Sequence, residues 1–201
     1  MSTKLAEKPL DQNLNARSDR WVKCIAKGGG LLATAISAPN LVADAGNRHK
    51  LTPIEIKALG ETLLASLLLS SMCKPGEKVS LSLKGDKLFK QAIADANPQG
   101  EARGFIIAKE FEGDIDIEMG PWQHGYLSVI RQKEHEKEPY VGTVPLLTGY
   151  LAKDLTYYLL QSEQIPAAVG LAVKVSEKGF IESAGAFLVQ ALPGASEDEI
   201  K

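Results

Sequence analysis

The sequence predicts an α+β fold, and three observations carry that reading. A long, almost wholly apolar helix follows Leu51 and must end by Lys74, because Pro75-Gly76 cannot extend it. Short segments alternating apolar and polar residues lie between closely spaced Gly and Pro turns, which suits antiparallel pairing. A second helix, amphipathic rather than apolar, spans about 149–164. Helices mixed with mainly antiparallel strands define the class.

Composition narrows the function classes. The 201 residues are 44% apolar, enough for one well-buried core, and one domain is expected. A net charge of -2 with 6% aromatic residues leaves no basic field for a phosphate backbone, so nucleic acid is not the expected partner. Residues 1–18 mix Lys4, Glu7, Lys8, Asp11 and Arg17 with scattered apolar side chains and hold no signal-peptide core, which reads as a disordered tail. No apolar stretch has the length of a membrane span, and a cytoplasmic location is expected.

Taken in order, Trp21–Ala26 and Leu31–Ser37 flank Gly28-Gly29-Gly30 as a hairpin, since glycine accepts the positive φ of a tight turn. The triple glycine lacks the Gly-Lys-Ser/Thr of a phosphate loop and the spacing of a dinucleotide fingerprint. The central helix opens on Thr52 as N-cap with Glu55 three residues on, Pro53 at the first position and Leu51 able to staple onto Ile56. Its only polar edge is Glu61, Thr62, Ser66 and Ser70, so it is expected to be covered on most sides.

Val79, Leu81 and Leu83 alternate with Ser80, Ser82 and Lys84 as a half-buried strand. The turn Asn97-Pro98-Gln99-Gly100 joins a strand at 90–96 to one at 103–109. Strands at 127–131 and 141–147 flank a charged, solvated loop from Lys133 to Glu138. The amphipathic helix sets Leu151, Leu155, Tyr158 and Leu159 on one side and stops before Pro166. Val169, Leu171, Val173 and Val175 then alternate, Glu177-Lys178-Gly179 turns, and Ile181–Ala191 returns as a hairpin partner. Ser196-Glu197-Asp198-Glu199 has the residues of a helix start.

Candidate chemistry is sparse. Cys24 and Cys73 have no metal-ligand spacing and read as buried free thiols, the sharper alternative being a redox pair that would need both exposed and adjacent. His49 stands between two predicted helices with Asp44 five residues earlier, and could join a triad with a distant Ser or Cys or serve a structural hydrogen bond. His124 and His135 fall in loops. Asp114, Asp116 and Glu118 present three carboxylates on one face of an extended segment, either a weak divalent-ion site or a solvated strand face. No acid–base pair emerges, so no catalytic residue, cofactor-binding residue or metal ligand is assigned.

The run Pro139-Tyr140-Val141-Gly142-Thr143-Val144-Pro145-Leu146-Leu147-Thr148-Gly149-Tyr150-Leu151-Ala152-Lys153-Asp154-Leu155, continuing through Tyr157, Tyr158, Ser162, Glu163, Gln164, Pro166 and Ala168, resembles the signature of the redox-regulated heat-shock protein 33 family, the 33 kDa chaperonins. Further blocks occur in the family's order: Asp19-Arg20, Arg48-His49-Lys50-Leu51-Thr52-Pro53, Leu59-Gly60, Lys74-Pro75-Gly76-Glu77, Leu81–Asp86, Ala94–Gly100 with Arg103-Gly104, Ala184-Gly185-Ala186 and Leu192-Pro193-Gly194-Ala195. The chain departs from the pattern at Lys87, at Ala186, where a second glycine is usual, and at Gly120–Gly125, which replaces a shorter turn.

The resemblance implies antiparallel sheets enclosing a buried helix, with a core domain at 19–193 and the start of a truncated linker at 194–201. It implies an ATP-independent holdase that binds unfolding client proteins through exposed apolar surface, forms a homodimer, and is not an enzyme. In the family a C-terminal module with Cys-x-Cys and Cys-x-x-Cys holds zinc, and oxidation uncovers the client surface. No such spacing occurs in these residues, so zinc is expected only in that module and no cofactor in this chain. The client-binding residues are not identified by the sequence. A different class, an enzyme or small-molecule module using His49 or Cys24, is the alternative.

Overall fold

The computed structural model describes residues 18–109, 120–133, 138–176 and 178–196. Nine strands and three helices are described among them: β1 (Arg20–Ile25), β2 (Leu31–Ser37), α1 (Pro39–His49), α2 (Pro53–Ser70), β3 (Glu77–Lys84), β4 (Phe89–Ala96), β5 (Ala102–Ala108), β6 (Tyr126–Lys133), β7 (Tyr140–Pro145), α3 (Leu151–Ser162), β8 (Ala167–Val175) and β9 (Ile181–Ala191). The strands form a four-stranded sheet, β1-β2-β9-β8, and a five-stranded sheet, β5-β4-β3-β6-β7. Every neighbouring pair is antiparallel. The expected α+β fold, sheets around a buried helix, is what the chain adopts.

The helix α2 lies between the sheets. Leu59 and Leu63 pack with Ala94 of the five-stranded sheet, while Gly60 approaches Val42 of α1 and Val173 of the four-stranded sheet. Its start follows the sequence: the Glu55 carboxylate accepts from the Thr52 N–H at 2.8 Å and from the Thr52 hydroxyl at 2.6 Å. One expectation needs correction. Thr62, Ser66 and Ser70 do not mark a wet edge but are fully buried, each hydroxyl donating to a carbonyl one turn back. That local bond removes the cost of burying a hydroxyl, so the helix can be enclosed there. The exposed edge runs instead through Ile54 and Lys57.

Two carboxylates from the family-like blocks hold loops to helices. Helix α1 has Ala38 as its N-cap, which offers no side-chain acceptor. The Asp19 carboxylate takes that role from a distance, accepting from the N–H groups of Asn40 at 3.0 Å and Leu41 at 2.8 Å. Asp154, in the first turn of α3, is fully buried. Its Oδ1 accepts from the N–H groups of Leu147 and Thr148 and from the Thr148 hydroxyl, pinning the turn that leads into α3.

That turn meets the loop at 120–125 back to back. Gly120 donates to Thr148, and a Cβ on Gly120 would lie 2.2 Å from the Gly149 carbonyl oxygen. Next to it Trp122 is fully buried, its ring 5.0 Å from that of Phe89. The segment departing from the family pattern is thus part of the core. The tail 1–17, the carboxylates Asp114, Asp116 and Glu118, His135 and residues 197–201 lie outside the described residues.

Candidate functional site

Ladder parity divides the four-stranded sheet into two faces. Inward, Thr34, Ile36, Ala184, Ala186 and Leu188 are buried against the helices. Outward, the registers align Val22, Ala35, Phe187 and Gly170 in one row across all four strands, and Cys24, Ala33, Val189 and Ala168 in the next. The third row is Arg20, Ser37, Gly185 and Ala172. The charges on this face are Arg20 at one end and the paired Lys174 and Glu182 at the other.

No described element packs on this outward face. Val22 is 59% exposed and Phe187 49%, and the Phe187 ring lies across Gly170, where a Cβ would sit 2.2 Å from the ring. Beside that ring runs an open trough of about 940 Å³, lined in part by Ala35, Ser37, Gly170, Ala172, Gly185 and Phe187. The lining is mostly small and apolar, with Ser37, Ser176, Ser183 and Glu182 among it, and such a surface offers shape-tolerant contact.

A polar cluster lies inside the molecule. Arg131 of β6 holds Glu163, just beyond α3, through one edge of its guanidinium, Nε at 3.0 Å and Nη2 at 2.8 and 2.9 Å. The Tyr158 hydroxyl donates to the same carboxylate at 3.0 Å, and Arg131 Nη1 lies 3.2 Å from Cys73 Sγ. Burial, and then the Glu163 charge, push the Tyr158 phenol far above its usual range. Burial also pushes the Cys73 thiol up, and Arg131 opposes it in part. A phenol and a thiol held protonated are poor nucleophiles, so the cluster reads as an internal clasp between sheet and helix.

The residues singled out from sequence do not converge. Cys24 is exposed rather than buried, which corrects the expectation of two buried thiols; only Cys73 is partly covered. Lys23, its neighbour on β1, points the other way and donates to the Ser71 carbonyl beside α2. Cys24 and Cys73 therefore stand on opposite sides of the sheet, which suits neither a disulfide nor a shared zinc ion. His49 is the exposed last residue of α1, and Asp44, its candidate orienting group, is instead bound to Arg48 Nε at 2.6 Å. His124 is exposed in a turn with φ of 51°. Among the described residues no three His, Cys, Asp or Glu side chains gather as metal ligands, and no helix is long and apolar enough to cross a membrane. Sequence reasoning missed the outward row; the alternation in β8 and β9 carried it, but the burial side of each strand becomes legible only with the registers.

Two antiparallel sheets around an apolar helix, one sheet with an apolar face that is uncovered among the described residues, define an α+β protein. The model of the Hsp33 protein family matches residues 19–201, and the chain belongs to that family. It is 37% identical over 189 residues to the 33 kDa chaperonin of Geobacter sulfurreducens, covering 91% of this chain and 62% of that protein. It is likewise 37% identical over 186 residues to the 33 kDa chaperonin of Latilactobacillus sakei, covering 89% and 63%. The crystal structure of the 33 kDa chaperonin, a heat shock protein 33 homolog, from Thermotoga maritima superposes with a TM-score of 0.80 at 27% identity, covering 89% of this chain and 62% of that one. The chain thus spans a little over three fifths of the length of these relatives.

Proposed function

We propose that this chain is the chaperone core of an ATP-independent holdase, with residues 19–193 as the core domain and 194–201 leading into a linker. The observation that carries the reading is the outward row Val22, Ala35, Phe187 and Gly170, an apolar stripe across a whole sheet without a covering element among the described residues. Unfolded clients expose apolar side chains that gain by leaving water against such a stripe, and no nucleotide or covalent chemistry is needed. Membership of a family whose relatives are named chaperonins supports the same reading. On this reading a folded linker would cover the stripe and oxidation would uncover it, a two-state element biased by thiol chemistry. The protein acts in the cytoplasm, as a homodimer, without enzymatic turnover.

The test is light scattering from a heat-unfolding client, with reductant present and ATP absent. The chain suppresses scattering in both redox states, with little dependence on salt. Val22→Ser combined with Phe187→Ser, both at exposed positions, lowers the protection while leaving the thermal midpoint within a few degrees. Absence of protection in either redox state sinks the reading. Protection that needs peroxide transfers the switch to Cys24 and Cys73, and loss of activity on mutating His49 favours the enzyme alternative.

A further inference from the structure

The four edge strands differ in what holds them. Helix α2 lies along β5, and α3 along β7 and β8, whereas among the described residues no helix runs along β1. Five of its six residues are exposed, and Trp21 is its one apolar side chain packed against the core. Even there the packing is open: a groove of about 480 Å³ adjoins Trp21, lined also by Ile36, Leu41 and Leu67. Burial therefore contributes little to keeping this strand on the body.

Two charged side chains supply what burial does not. Asp19, the residue before β1, accepts from the Asn40 and Leu41 N–H groups at the start of α1. Lys23, in the middle of β1, donates to the carbonyl of Ser71, the C-cap of α2. The anion thus sits at the positive end of one helix and the cation at the negative end of another, each on backbone groups a helix end leaves unpaired. No acidic residue in the first turn of α1 and no basic residue in the last turn of α2 duplicates these contacts. Both pins are exposed, so each hold is modest and open to screening by salt.

We propose that β1 is a detachable strap, fastened by Asp19 and Lys23, which opens locally while the other eight described strands stay paired. The break falls between β1 and β2, since β2 keeps its whole ladder to β9. Opening bares the β2 edge and the side of the core at Ile36, Leu41 and Leu67, and it takes Val22 out of the outward row. How much apolar surface the molecule shows is then set by the two pins rather than by the global stability of the core. The device holds whether or not that surface serves client binding.

Hydrogen-bond parity within β2 supplies the test. The Ala26 N–H donates to the Leu31 carbonyl and the Leu192 N–H to the Gly30 carbonyl, so Ala33 and Ala35 bond to β1 while Thr34 and Ile36 bond to β9. Local opening releases only the first pair. Native-state amide exchange of the whole chain, corrected for intrinsic rates, should be at least about tenfold faster at Ala33 and Ala35 than at Thr34 and Ile36. Lys23→Met keeps the apolar stem and removes the charge. It should speed Ala33 and Ala35 by about a further fivefold and leave Thr34, Ile36 and Leu81 unchanged, with Lys23→Arg restoring the parent rates. Asp19→Asn should act in the same direction, and salt at about 0.5 M should quicken the same two amides in the parent. Equal rates at the four β2 amides would show that β1 leaves only with the rest of the sheet, and overturn the proposal. Acceleration of all four by Lys23→Met, or of none, overturns it as well, the first marking a general loss of stability and the second a strand that Lys23 does not fasten.

Discussion

At the residue scale, two carboxylates show how burial sets opposite outcomes. Glu61 sits half-buried on the otherwise apolar α2, and burial, opposed by Lys57, raises its carboxyl from the usual 4.5 to about 7. The folded state therefore holds the proton more tightly than the unfolded chain. The resulting stability is complete below pH 4.5 and is lost as pH rises to about 7. The loss amounts to about 3 kcal/mol at most. Glu61→Gln should raise the urea midpoint at pH 8, flatten the decline between those values and gain nothing at pH 4. An unchanged pH profile would disprove the assignment. Asp154 has instead three donors on one oxygen, so Asp154→Ala strands two backbone N–H groups and should cost about 3 kcal/mol in urea unfolding. A cost below about 1 kcal/mol would show that the turn re-forms its bonds elsewhere.

Among the elements, legibility followed how local each cause is. The start of α2 was plain in the sequence because Thr52, Pro53 and Glu55 are adjacent. The start of α1 was not, because its acceptor is Asp19, about twenty residues upstream. The buried hydroxyls of Thr62, Ser66 and Ser70 read as a solvated edge, since residue type does not reveal that each is satisfied within its own helix. Trp122 lies in a segment that the sequence marks only as a departure from the family's shorter turn, and the contact of Gly120 with Gly149 accompanies its burial. The outward face was half legible: alternation gave the strands, and the pairing of β2 with β9 gave the face.

Gly60 turns the same contrast into a measurement. Intrinsic propensity favours Ala over Gly in a helix by about 1 kcal/mol. A Cβ there would lie 2.8 Å from Val42 Cγ1 and 3.0 Å from Val173 Cγ2, both buried. Three elements meet at that point, so Gly60→Ala should destabilise by about 1–2 kcal/mol despite the propensity gain. A more stable variant would mean that α1 moves away freely.

On the scale of the whole molecule, the two sheets differ in how the chain supplies them. The five-stranded sheet draws all its strands from residues 77–145, while the four-stranded sheet joins β1 and β2 at one end of the chain to β8 and β9 at the other. Loop-closure entropy opposes that long-range pairing and delays it. Removal of residues 166–201 should therefore leave β1 and β2 unpaired and α2 uncovered on one side, giving a chain that binds hydrophobic dyes and aggregates. A soluble, cooperatively melting fragment would contradict this. During synthesis the same arrangement imposes a waiting period. Once Ser37 has left the ribosome, on the order of ten seconds pass before Ala167 follows. Throughout that interval the nascent protein displays a bare apolar helix, the kind of surface that the finished molecule is proposed to bind in others, which makes a newly made copy a candidate for custody by an older one.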